Sequence, residues 1–91
     1  MAELKLQIHH EAGLHARPLA QFVKTVKMYK ASVQVYDLTS GKGPSNGASP
    51  VHLMLLAVTK DHEIRIVAEG EQAEEVLKAL KSLIENNFGE V

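Results

Sequence analysis

The residues predict an α+β fold, with helices layered on one face of a mainly antiparallel sheet. Three observations carry this. Apolar residues alternate with polar ones at period 2 in three short stretches, around Leu4, Val33 and Ile64. They recur at helical spacing in two longer stretches, from Leu19 and from Ala73. Both kinds interleave along only 91 residues, which fits one domain and leaves no room for a second core. The order is strand, helix, strand, a short strand at most, helix, strand, helix, and this is an α+β layer order. Pattern alone leaves the strand order in the sheet open.

Each element has its own reason. Leu4, Leu6 and Ile8 alternate with Lys5, Gln7 and His9, so the first strand has one buried face. Glu11-Ala12-Gly13 breaks it. Leu19, Phe22, Val23 and Val26 then share one helical face, opposite Gln21, Lys24 and Lys27, which predicts a helix from about Ala16 to about Met28. Val33 and Val35 alternate with Ser32, Gln34 and Tyr36 in a second strand. Thr39 to Pro50 is rich in Gly, Pro and Ser and reads as a loop. A short third strand fits around Gly41 to Ser45, and Gly43-Pro44 argues against a long one. The apolar run Val51 to Val58 fits a strand or a short, largely buried helix, and Ser49-Pro50, an N-cap followed by a first helical position, decides for the helix. Ile64, Ile66 and Ala68 alternate in the last strand, which Gly70 ends. Ala73, Val76, Leu77, Leu80, Leu83 and Ile84 mark the final helix, with Glu71, Glu74 and Glu75 near its positive end.

Composition removes several function classes. Ten Lys plus Arg against eleven Asp plus Glu give a net charge of −1, so no basic excess attracts nucleic acid or an anionic membrane. There is no cysteine, which excludes disulfides, thiolate metal sites and thiol chemistry. The longest apolar run, Val51 to Val58, is interrupted by His52 and is far too short to span a bilayer. The first residues alternate and then turn acidic, unlike a signal peptide. A single cytoplasmic domain over residues 1–91, without membrane insertion, is the expectation.

One segment combines reactive chemistry with a special position: Gly13-Leu14-His15-Ala16-Arg17-Pro18, joining the first strand to the first helix. Pro18 belongs in the first turn, where backbone N–H groups lack helical partners anyway. His15 therefore falls at or just before the helix N-terminus. The positive helix end and Arg17 both disfavour an imidazolium there, and neutral imidazole is the nucleophilic form. Once that nitrogen carries a phosphoryl group, the same features favour the added negative charge. Free N–H groups, including that of Ala16, and the dipole attract it, and Arg17 donates charge-assisted hydrogen bonds to its oxygens. The plain alternative is a cap or a solvated loop histidine, and spacing alone discriminates weakly between the two.

The run Gly13 to Pro18 resembles the active-site signature of the histidine-containing phosphocarrier proteins, HPr, of the bacterial phosphoenolpyruvate:sugar phosphotransferase system. His15 falls on that family's phosphorylated histidine, and length and element order agree over essentially the whole chain. The resemblance implies an open-faced β-sandwich: a four-stranded antiparallel sheet covered on one face by three helices. It implies that His15 takes a phosphoryl group on Nδ1 from phospho-Enzyme I, supported by Arg17, and passes it to a sugar-specific IIA component. The protein is then a carrier without turnover of its own, a monomer, and needs no cofactor. The family docks partners on its first two helices, which here offers Leu14, Leu19 and Ala20 near His15, and Pro50, Val51, Met54 and Leu55 beside Ser49. Some of these are expected to be core. His15 is expected to be solvent accessible, with one ring nitrogen facing free N–H groups of the helix.

Other residues carry weaker signals. Ser49 falls where many family members from Gram-positive bacteria carry a serine phosphorylated by an ATP-dependent HPr kinase. Phosphate there would add about −1.5 to −2 charges to the docking surface. Pro50 and the longer Gly43–Ala48 stretch depart from the family pattern and alter what a kinase would read. Ser49 as a simple N-cap is the alternative, and Ser45 is a weaker candidate. His9 and His10 point to opposite faces of a strand and, with His15, form no metal-ligand spacing, so no metal is expected. His52 lies near the docking surface, His62 merely begins a strand, and Lys24, Lys27 and Lys30 form a row that would steer an acidic partner. Two other functions share these features: a regulatory module of the same fold without transfer, and a carrier in a nitrogen-related or dihydroxyacetone kinase relay. The pairing of His15 with Arg17 argues against the first.

Overall fold

Alternation builds the sheet as expected. In the computed structural model, which describes residues 2–9, 16–86 and 88, four strands are present: β1 (Ala2–Gln7), β2 (Ser32–Asp37), β3 (Lys42–Asn46) and β4 (Glu63–Glu69). They pair antiparallel throughout, in the order β1-β4-β2-β3. Register places Ile66 opposite Leu4 on one side and Val35 on the other, so one row of apolar side chains crosses three strands. The next row, Lys5, Arg65 and Tyr36, points the other way. On that outer face Arg65 lies over the Tyr36 ring at 5.3 Å and pairs with Glu3. Both contacts are partly exposed and contribute little.

Three helices cover the apolar face: α1 (Ala16–Lys27), α2 (Pro50–Leu56) and α3 (Ala73–Glu85). Phe22 of α1, Leu53 of α2 and Val76 and Leu80 of α3 meet Ile8, Val35, Val58, Ile64 and Ile66 in the fully buried core. This is the four-stranded, three-helix architecture that the sequence resemblance implies. Leu83, expected among the buried residues of α3, packs only partly against the core.

Two elements differ from expectation. The third strand runs Lys42–Asn46 rather than 41–45, and it tolerates Pro44 because β3 is an edge strand. Gly43 has φ +119, and a Cβ there would sit 2.9 Å from Tyr36 Cα and Val35 O, so only glycine fits. The second helix starts at Pro50 and stops at Leu56, because Ala57 turns left-handed (φ 55) as its C-cap. It is also not largely buried: only Leu53 and Leu56 enter the core, while Val51, Met54 and Leu55 are exposed. The 51–58 run is apolar on both sides of a short helix, so its composition says nothing about which side is covered.

Candidate phosphoryl-transfer site and docking face

The first helix begins at Ala16, immediately after His15 in the chain. Pro18, its third residue, is buried in the first turn, as its missing N–H allows. The N–H groups of Ala16 and Arg17 have no carbonyl one turn earlier in the helix to bond. The aligned peptide dipoles make this end of α1 favourable to an added anion. Leu14 and His15, with His10, lie outside the described residues, as does the side chain of Arg17. So does the expected exposure of His15.

The α1 and α2 helices lie side by side, and an open apolar groove of about 720 Å³ runs between them. Ala20, Met28, Pro50 and Met54 line it, with Lys24 and Lys27 along one wall. Four of the five large exposed apolar residues among those described are on or beside these helices: Met28, Val51, Met54 and Leu55, each at least 62% exposed. Of the residues expected at a docking surface, Ala20, Pro50, Val51, Met54 and Leu55 are therefore on the surface. Leu19 also lines the groove, from beneath its surface. It is only 4% exposed and packs in the core, because position 19 is on the α1 stripe shared with Phe22 and Val23. The lysine row also divides. Lys24 and Lys27 flank the groove, whereas Lys30 follows the end of α1, and its backbone bonds Gln72 at the foot of α3.

Ser49 caps α2. Its Oγ accepts the N–H of His52 at 3.3 Å, and its own N–H bonds Asn46 O at 3.1 Å. It is half-buried, and the exposed His52 is in the first turn beside it. Ser45 pairs with Val35 across β2 and β3. His9 is exposed at the end of β1.

Sequence reasoning missed one arrangement. Asp37, at the end of β2, is the one buried polar or charged residue among those described. Its Oδ1 accepts the N–H of Thr39 at 3.0 Å and that of Ser40 at 3.2 Å, and its Oδ2 lies 2.7 Å from Nδ1 of His62. Burial acts to raise the pKa of this carboxyl, but the hydrogen bonds from His62 and Ser40 and the attraction of His62 outweigh it, and the pKa falls below the ordinary value. Asp37 and His62 are 25 residues apart, and neither stands in a motif, so only the fold brings them together.

Comparison with known proteins decides the family. The profile of the PTS HPr family, described as the PTS HPr component phosphorylation site, matches residues 2–86. The chain belongs to the HPr family. It is 38% identical over 93 residues to the phosphocarrier protein HPr of Pseudomonas aeruginosa, covering 99% of this chain and 98% of that protein. A multiphosphoryl transfer protein of Salmonella typhimurium is 39% identical over 83 residues, covering 91% of this chain. This chain spans only about a fifth of that larger protein, 22%. Among solved structures, HPr-C-His from Thermoanaerobacter tengcongensis superposes with a TM-score of 0.93 at 36% identity, covering 100% of this chain and 99% of that one. In HPr terms, the apolar groove belongs to the two helices on which the family resemblance puts partner docking.

Proposed function

We propose that this chain, as a single HPr-like domain over residues 1–91, is a phosphoryl carrier of the phosphotransferase system. His15 accepts a phosphoryl group from phospho-Enzyme I, and therefore ultimately from phosphoenolpyruvate, and passes it to a IIA component. The observation that carries this reading is the match to the HPr phosphorylation-site profile across 2–86, with α1 opening at Ala16 directly after His15. In the transfer, the lone pair of a neutral His15 ring nitrogen attacks phosphorus. The phosphorus–nitrogen bond of the donor phosphohistidine breaks, and the donor imidazole leaves with its electron pair. The reverse polarity applies when His15 becomes the donor. The first backbone N–H groups of α1, at Ala16 and Arg17, with the Arg17 guanidinium, stabilise the transferred group. No cofactor takes part, and the protein has no turnover of its own.

The docking face follows from the same reading. Ala20, Val51, Met54 and Leu55 supply exposed apolar surface, and Lys24 and Lys27 steer an acidic partner rim. Phosphate on Ser49, by an HPr kinase, would place about two negative charges beside this face and weaken docking without altering His15. The protein works in the cytoplasm as a monomer.

Incubation with phosphoenolpyruvate and purified Enzyme I, read by intact mass before and after brief acid treatment, tests the reading. One added phosphoryl group, lost in acid and absent in His15→Ala, is expected. No added mass with an active Enzyme I from the same genome would favour a regulatory module of this fold instead.

A further inference from the structure

Asp37, His62 and Thr59 form a closed set of bonds. A carboxylate only accepts, so His62 Nδ1 carries the hydrogen shared with Asp37 Oδ2. His62 Nε2 then lies 3.0 Å from Thr59 Oγ1, whose hydroxyl donates to a neutral ring or accepts from a protonated one. The imidazole is satisfied in both states. Thr59 and His62 belong to the 57–62 connection between α2 and β4. That connection holds two non-glycine residues in the left-handed region, Ala57 at φ 55 and Asp61 at φ 71. Such residues persist only where surrounding bonds over-determine them. Here the bonds are specific: Asp61 N to Ile8 O, Ile8 N to His62 O, and His62 N to Thr59 O.

The helix that this connection follows is weakly held by itself. It has seven residues, of which Leu53 and Leu56 are buried. Its N-terminal end is fixed by the Ser49 cap and by Asn46, whose Oδ1 accepts the N–H of Ala48 at 2.9 Å. Its C-terminal end is fixed through the 57–62 connection. We propose that Asp37, His62 and Thr59 act as a lock that fastens this connection to the end of β2 and so sets the position of the exposed α2 face. They are positioning residues: none of them belongs to the docking face, and they act through Met54 and Leu55. The functional half of this proposal rests on the reading of α2 as a partner-docking element.

Amide hydrogen exchange on the full chain at pH 7, for wild type, His62→Ala and Thr59→Val, tests the lock directly. His62→Ala is expected to accelerate exchange at least tenfold in 57–62 and the last turn of α2. The amides of Val35 and Ile66 in the sheet centre should stay within about twofold. Thr59→Val should give a smaller change in the same stretch, and it keeps the test open if His62→Ala fails to fold. Uniform acceleration across the chain, or none in α2, would overturn the lock. In transfer to a IIA acceptor, His62→Ala should raise KM at least threefold with kcat kept. An unchanged KM in a chain that does carry phosphoryl groups would also overturn it. A wild-type chain that carries none would instead sink the functional reading, with the exchange result still deciding the lock.

Discussion

At the scale of single residues, Asp37 is the most exacting position described. Its carboxyl has to be ionised, because each of its oxygens faces N–H donors. Its native pKa is held below an unfolded value of about 3.9. The stability it contributes is therefore fully present above about pH 4 and is lost as pH falls through the lowered native value. Asp37→Asn should cost about 1–3 kcal/mol at pH 7, since it puts an amide against the donors. It should also flatten the dependence of stability on pH below 4, read by urea titration at pH 7 and pH 3. An equally steep acid loss in the variant would count against the assignment. Ala57 makes the opposite case. A left-handed non-glycine C-cap is strained, so Ala57→Gly should be neutral or stabilise by up to about 1 kcal/mol, although most substitutions to glycine destabilise. Neither residue was legible in the sequence. A buried Asp–His pair between strand ends follows from register, and a one-residue left-handed cap has no signal when the residue is alanine.

At the scale of elements, α2 divides the protein's two needs. Leu53 and Leu56 hold it to the core, while Val51, Met54 and Leu55 face outward. The cap at Ser49 was readable from Ser-Pro alone, and Ser49→Ala should cost about 1 kcal/mol of stability. The exposed face was not readable, because an apolar run carries no mark of which side is covered. Met54→Asp should leave stability within about 0.5 kcal/mol, as expected for an exposed position. It should raise KM for phosphoryl transfer at least tenfold with kcat kept, measured against acceptor concentration. Leu19→Ala should do the reverse: as a core residue it should cost about 2–5 kcal/mol and affect transfer only through stability. The first helix was placed correctly from its period, and the burial of Leu19 follows from the stripe it shares with Phe22, which also puts it under the groove.

At the scale of the whole molecule, alternation and helical period were enough to predict the layer fold, because one apolar face per strand and one stripe per helix leave few ways to bury both. Strand order was not predictable that way. The order β1-β4-β2-β3 places β1 and β4 side by side although they are far apart in sequence, and only the register of Leu4, Ile66 and Val35 shows why. β1 is an edge strand of the sheet, and the next described element, α1, opens at Ala16. The proposed chemistry thus falls at the start of α1, a helix that also borders the apolar groove. A near-neutral net charge of −1 with Lys24 and Lys27 beside the groove predicts local steering rather than bulk attraction. Association with phospho-Enzyme I should slow as salt is raised, and Lys24→Gln with Lys27→Gln should remove most of that dependence in stopped-flow measurements.

The central claim is that one imidazole of five, His15, carries the phosphoryl group. The most direct test is a ¹⁵N spectrum of the protein with labelled histidines, recorded before and after addition of phosphoenolpyruvate and catalytic Enzyme I. A large shift confined to the Nδ1 resonance of His15, with His9, His10, His52 and His62 unmoved, is the predicted result. A phosphorylated ring at any other histidine, or no shift in the presence of an active donor, would contradict it.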